Sequence, residues 1–167
     1  MPYTVEPSAE VASAAERLSR EGHGALIVIE RETGLQEIAE NGVMLHADLS
    51  ADLLVTLFSP KTPLHDGAVV IRGDQILAAG ALLPSAETTI PVERFGTRHK
   101  AALGITETTD AIVVVVSEES GQMSLVERAR IVRNLDEPKL TRSLAALLHP
   151  QTAGGLLLQE GAAPRRV

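Results

Sequence analysis

Two uninterrupted apolar runs constrain this chain more than any other feature of it. Ala25 to Ile29 reads Ala-Leu-Ile-Val-Ile before ending in charge at Glu30, and Ala111 to Val116 reads Ala-Ile-Val-Val-Val-Val. Side chains on a strand point alternately to opposite faces, so a strand that is apolar at every position must be covered on both sides. β-Branched residues dominate both runs and favour that extended state. Both fall far short of the roughly 20 residues of a membrane span. The N-terminus also lacks a basic segment followed by an apolar stretch. The chain as given is therefore expected to be a soluble, cytoplasmic domain built on a sheet with helices on both faces.

The flanking segments supply that cover. Ser8 can cap a helix running to about Glu21, with Val11, Ala14, Ala15 and Leu18 on one face and Gly22 to Gly24 as its break. Ser50 to Phe58 reads as a second helix, stopped by Ser59-Pro60 before a loop over Lys61 to Asp66. Asp136 can cap a last helix that tolerates Pro138 in its first turn, turns Leu140, Leu144, Leu147 and Leu148 inward, and ends at His149-Pro150. Ala68 to Arg72 and Gln75 to Leu82 flank Gly73-Asp74, the signature of an antiparallel hairpin. Gln122 to Val126 follows the Ser120-Gly121 turn and should pair with the Ala111 strand. Glu30 to Glu40 reads as a loop or hairpin before an Asn41-Gly42 turn, Pro84 to Phe95 as a loop, and Thr97 to Leu103 as a helix stopped by Gly104. From residue 151 the chain is rich in Gly, Ala and Pro, with a basic tip at Arg165-Arg166. The 167 residues thus resolve into one domain over 1–150 and a flexible tail over 151–167. The expected fold is α/β, with a mixed, mainly antiparallel central sheet flanked by helices.

Composition narrows the function. Fifteen Lys and Arg against 22 Asp and Glu give a net charge of -7, the wrong sign for binding nucleic acid by counterion release. The aromatics are only Tyr3, Phe58 and Phe95, too few for a platform on which bases stack. With no cysteine there is no disulfide scaffold, thiolate zinc site or cysteine nucleophile, and any metal must sit on His, Asp or Glu.

Three segments carry functional side chains beside glycine at the ends of expected core strands, where ligands of α/β sheets gather. Leu64-His65-Asp66-Gly67-Ala68 sets an imidazole and a carboxylate side by side, a pair suited to a divalent cation, next to a glycine that lets a phosphate approach the backbone. Gly96-Thr97-Arg98-His99-Lys100-Ala101-Ala102 opens a helix with a hydroxyl, a guanidinium, an imidazole and an ammonium at the positive end of its dipole. Such positive groups are unfavourable there unless an anion comes between them. Ser117-Glu118-Glu119-Ser120-Gly121 offers hard oxygen donors at the end of the strongest strand. Each alone also reads blandly, as a surface turn, a plain Thr97 cap with solvated cations, or a polar loop. Together they make chemical sense for a nucleotide with a divalent ion.

These segments, with Leu103-Gly104 and the supporting stretches Gly24 to Leu35 and Ile76 to Gly80, resemble the diadenylate cyclase (DAC) domain, over roughly Val11 to Leu135. The likeness is greatest to the catalytic domain of the membrane-tethered bacterial cyclic di-AMP synthase. The resemblance implies the DAC-domain fold and the condensation of two ATP into cyclic di-AMP with release of two pyrophosphates. It implies a homodimer, each subunit holding one ATP face to face with the other, and a divalent cofactor, Mn²⁺, Mg²⁺ or Co²⁺. Asp66 would be the catalytic carboxylate, helping activate the attacking 3′-hydroxyl through the metal, with Arg98 and His99 also catalytic. Metal ligands would be His65, Asp66 and Glu118. Leu35, Gly67, Ala68, Leu82, Thr97, Arg98, His99, Ser117 and Glu119 would bind the nucleotide, Leu35 through backbone groups facing the adenine. No nucleic acid and no membrane contact from this chain itself are expected, the full-length protein being membrane-tethered if N-terminal helices have been removed. Two positions depart from the pattern. Many members have Arg where this chain has Lys100, which keeps the charge without bidentate recognition. Some of the tethered subtype carry an aromatic where Leu82 aligns, and leucine offers apolar contact without stacking. Two other readings compete: a metal phosphohydrolase using His65-Asp66, weakened by the lack of further spaced ligands, and a catalytically weak or inactive nucleotide-binding, sensing module of the same fold.

Overall fold

The computed structural model describes residues 5–83 and 96–150. In chain order the elements are α1 (Pro7–Glu21), β1 (Ala25–Ile29), α2 (Gln36–Glu40), β2 (Val43–Asp48), α3 (Ala51–Leu57), β3 (Ala68–Arg72), β4 (Gln75–Ala81), α4 (Thr97–Thr108), β5 (Ile112–Val116), β6 (Met123–Glu127), β7 (Arg130–Leu135) and α5 (Glu137–Leu148). The strands form one sheet in the order β2-β4-β3-β1-β5-β6-β7. Only β1 and β3 pair in parallel, the other neighbours being antiparallel, so the expected mixed, mainly antiparallel sheet is observed.

The two apolar runs are adjacent and central. Ala25 lies opposite Val116 and Ile29 opposite Ile112, and every residue of β1 and β5 is buried. Alternation divides their side chains between two cores. Ile27, Ile29, Ile112, Val114 and Val116 join residues of α1, α3 and α5, while Leu26, Val28, Val113 and Val115 join Ala102, Leu103 and Ile105 of α4. A continuous apolar strand and a helix layer on each face are one physical requirement, since each face removes its half of the side chains from water.

Local rules fix several boundaries. The Ser50 hydroxyl accepts the Leu53 N–H at 3.0 Å, and the Asp136 carboxylate accepts the Lys139 N–H at 2.9 Å, so α3 and α5 begin on side-chain caps. Gly22, at φ +76°, ends α1 in the left-handed conformation. At the other end of α1 the reading differs: Glu6 occupies the cap position, Pro7 opens the helix, and Ser8 is buried inside it, donating to Glu6. Gly104 does not stop α4, which runs on to Thr108. Burial of Leu103 and Ile105 against the sheet outweighs the cost of about 1 kcal/mol for a helical glycine. The segment expected to be loop or hairpin contains the short helix α2.

Two edge strands carried no clear sequence signal. In β2 the register shifts between Met44 and Ala47, with His46 at φ +50°, so its apolar residues do not alternate. β7 follows β6 through Arg128 and Ala129 at φ +54° and +60°, a primed turn normally marked by Asn-Gly. The expected loop over Pro84 to Phe95 and the expected tail from residue 151 lie outside the described residues. Among the described residues no helix is long and apolar enough to cross a membrane.

Candidate functional site

The topology gathers the three glycine-bearing segments at one end of the sheet. β1 and β3 run in parallel, so Gly24 and Gly67 precede their strands on the same side. The antiparallel partners β4 and β5 finish there, delivering Leu82 and Ser117. Helix α4 begins beside them.

Asp66 is thrust outward by the backbone that follows it. Gly67 has φ +92°, and a Cβ there would lie 2.7 Å from the Ala81 carbonyl oxygen and 2.9 Å from the Gly80 carbonyl carbon. Only glycine fits, and the preceding carboxylate is left 87% exposed. Beside it, His65 Nε2 is 3.5 Å from Asp66 Oδ1. His65 Nδ1 lies 2.8 Å from the Thr62 carbonyl oxygen, which can only accept, so Nδ1 carries the proton and Nε2 of the neutral ring keeps its lone pair.

Arg98 crosses the mouth of β1. A Cβ on Gly24 would fall 2.3 Å from its Cζ, so the missing side chain is the space the guanidinium occupies. From there Arg98 Nη1 reaches Glu118 Oε1 at 3.5 Å. Two adjoining clefts share Thr97, Arg98 and Glu118. The larger, about 450 Å³, adds Asp66, Gly67 and Leu82. The smaller, about 250 Å³, adds His99, Ser117 and Glu119. No side chain caps α4 at Gly96, and no acidic residue lies in its first turn, which leaves the positive end of the helix facing the smaller cleft.

His99 differs from the expectation of a compact positive cluster. It is buried, and burial first, then the charges of Arg133 and Arg98, hold its pKa below the ordinary 6.5. Burial thus disfavours the charged form of the ring. Lys100 lines neither cleft, so Arg98 is the cation common to both.

Most of the expected site residues thus line these clefts, and three do not, His65 standing beside Asp66 without lining either. Ala68 is wholly buried in β3. The Leu35 side chain is buried, its N–H donates to Glu30 Oε2 at 2.8 Å and its carbonyl accepts the Ala39 N–H at 2.9 Å, so its backbone groups already have partners, and Leu35 lines neither cleft. Three contributors were not among the expected site residues. Gly24 looked like a helix break, Asn41 like part of a turn, and Arg133, which acts on His99, sits in a strand without a signal.

Among the described residues no three His, Asp or Glu side chains converge on a metal position. The His65 lone pair and the exposed Asp66 carboxylate give two donors in one place, while Glu118 is paired with Arg98. This donor set fits a divalent ion that draws its remaining ligands from water and phosphate oxygens.

Comparisons with known proteins bear on the family and the fold. The family model described as "DAC: DisA bacterial checkpoint controller nucleotide-binding" matches residues 12–131. The diadenylate cyclase of Listeria monocytogenes is 41% identical over 143 residues, 86% of this chain and 52% of that protein. The cyclic di-AMP synthase CdaA of Bacillus subtilis is 40% identical over 136 residues, 81% of this chain and 50% of that protein. The chain therefore spans about half the length of these curated relatives. A crystal structure of a double mutant of DacA from Staphylococcus aureus superposes with a TM-score of 0.80 at 39% identity, covering 83% of this chain and 93% of that one.

Proposed function

Because the chain belongs to the DAC family, we propose that it is a diadenylate cyclase that joins two ATP into cyclic di-AMP and releases two pyrophosphates. The observation that carries this reading is the convergence of Asp66, Thr97, Arg98 and Glu118 on one continuous cleft at one end of the sheet. The 3′-oxygen of one ATP attacks the α-phosphorus of the other. A phosphorus–oxygen bond forms, the bond to the α–β bridging oxygen breaks, pyrophosphate departs, and the 3′-hydroxyl proton is lost. The same exchange in the opposite direction closes the ring.

The residues divide this work by chemistry. Arg98, the Thr97 hydroxyl and the uncapped end of α4 suit the triphosphate, where negative charge accumulates on the leaving pyrophosphate. His99, whose charged form burial disfavours, suits this region as a hydrogen-bonding group. Asp66 stands at the open side of the cleft, suited to the attacking hydroxyl, with His65 at its side. Leu82 offers an apolar surface to a base. A divalent ion on His65 and Asp66 would supply positive charge to the phosphates.

One cleft holds one nucleotide, so the reaction requires two copies of the chain, their clefts facing. The exposure of Asp66 supports this, because a catalytic carboxylate open to solvent in one subunit is available to a nucleotide bound by another. In-line displacement depends chiefly on positioning, and a symmetric pair brings both reactants into register.

Purified protein incubated with ATP and Mn²⁺ should yield cyclic di-AMP and pyrophosphate, with a rate that falls as the square of protein concentration once the dimer dissociates. ADP or free phosphate as the product would overturn the reading in favour of hydrolysis. Unchanged ATP with measurable binding would leave a sensing module.

A further inference from the structure

We propose that Asn41 is a positioning residue for the base side of the cleft, acting through the backbone of Leu82; the inference rests on reading the cleft as an ATP site. Asn41 follows α2 and precedes β2. The β2–β4 register pairs Val43 with Ala79 and Met44 with Ala78. Its continuation would bring Asn41 opposite Ala81, where the backbone ladder has ended. The side chain takes over there: Asn41 Nδ2 donates to the Leu82 carbonyl at 3.1 Å, and Asn41 Oδ1 accepts the Leu82 N–H at 2.8 Å. One planar amide satisfies both backbone groups of a single residue. Turning it over would set donor against donor and acceptor against acceptor, so its orientation is fixed.

The neighbouring glycines make the hold tight. A Cβ on Gly42 would lie 2.5 Å from the Ala79 oxygen and 2.8 Å from the Ala81 nitrogen, while one on Gly67 would meet the Ala81 oxygen from the other side. The end of β4 is gripped between two backbones before Asn41 secures the next residue. Leu82 is 70% exposed, the most exposed large apolar side chain among the described residues, and it stands in the same cleft as Asp66 and Thr97. A leucine gives a base contact without the directionality of stacking, so its usefulness depends on where its backbone is held. Asn41 does not line the cleft itself.

Both hydrogen bonds are exposed, so the expected effect is moderate. Asn41→Ala should speed hydrogen exchange at the Leu82 amide and raise KM for ATP by about 3- to 10-fold, with kcat within about twofold and an unchanged melting temperature. Asn41→Asp keeps an acceptor for the Leu82 N–H but sets a second carboxylate oxygen against the Leu82 carbonyl, so it should raise KM no less than Asn41→Ala does. Affinity for an ATP analogue with a methylene α–β bridge, measured with Mn²⁺, should follow the same order. Unchanged exchange at Leu82, an unchanged KM, or a KM that rises only in step with a lower melting temperature would overturn the proposal. Wild-type protein that makes no cyclic di-AMP would refute the cyclase reading instead, with exchange and analogue affinity still deciding the role of Asn41.

Discussion

The two ends of the central sheet handle charge in opposite ways. At one end, Arg72 Nε and Nη2 meet the Glu30 carboxylate at 2.7 and 3.0 Å, and Arg72 also reaches Gln36. Arg31 bonds the Asp110 carbonyl, the Leu147 carbonyl and Glu127, while the Asp110 carboxylate accepts the N–H groups of Glu32 and Thr33. Here the charges close on one another. At the opposite end Asp66 is exposed, Arg98 meets Glu118 only at 3.5 Å, and the first turn of α4 has no acidic partner. Saturated ion pairs hold a turn in shape, whereas loosely paired groups keep their capacity for a ligand. The same difference separates what stabilises this fold from what is proposed to serve the reaction.

The sharpest break between the two ends is expected from Asp66→Ala. Cyclic di-AMP formation should be lost, while stability changes only as for a surface substitution, by under about 0.5 kcal/mol. Product analysis and a thermal melt of the same preparation check both halves, and retained synthesis would remove Asp66 from the reaction.

Gly24→Ala tests the Arg98 position without touching a polar group. The added methyl would occupy the guanidinium site, and Gly24 has no left-handed φ to forbid the substitution. Because the obstructed group is the end of a flexible side chain, stability should change little. Synthesis should fall about 10- to 100-fold, as expected when a phosphate-binding cation is misplaced. Full activity would mean that Arg98 works from elsewhere.

Glu30→Gln should show the reverse pattern. Glu30 is only 10% exposed, and the change leaves Arg72 with a weaker partner, but Arg72 is 41% exposed and water compensates in part. The expected loss is about 1–2 kcal/mol of stability, read from chemical denaturation, with activity retained well below the melting point. A large loss of activity in the folded variant would connect the two ends.

Acid should separate the ends by pH, with the smallest effect. The His99 pKa is lowered in the fold, so below about 6.5 the unfolded chain binds a proton that the folded chain does not, and stability falls until the lowered value is passed. His99→Asn should make the denaturation free energy flatter across that window. Glu30, held below the ordinary 4.5 by its Arg72 hydrogen bonds and, against the cost of burial, by the Leu35 N–H, contributes stability above 4.5 that is lost only as pH falls through its lowered value. Asp110 behaves likewise below 3.8: burial opposes its ionisation, but the N–H groups of Thr33 and Glu32 outweigh it. Equal acid slopes for wild type and His99→Asn would refute the first assignment.

What was legible in the sequence followed from short-range rules. The runs at Ala25 and Ala111 declared strands covered on both faces, and Asp136 announced its helix because a cap is a local hydrogen bond. The site motifs were legible too, since a carboxylate before an obligatory glycine and cations opening a helix are unusual in their own few residues. Edge strands β2 and β7 were not, because a bulge at His46 and a primed turn at Arg128-Ala129 erase the expected alternation and turn residues. Gly104 misled for the opposite reason, as its local penalty is real but smaller than the burial around it.

The sequence by itself determined a sheet sealed on both faces, its central strands, and the residue types proposed to meet a nucleotide. Only the tertiary structure decided which of them share a cleft. Pairing β1 with β3 in parallel brings Gly24 beside Gly67, and this in turn lets Arg98 approach Glu118 and Asp66 from the same side. Burial disfavoured the charged form of His99, and the Leu35 N–H went to Glu30 while its carbonyl took the Ala39 N–H. Strand order and burial are long-range properties: they depend on which distant segments exclude water from one another, and no window of neighbouring residues contains that information.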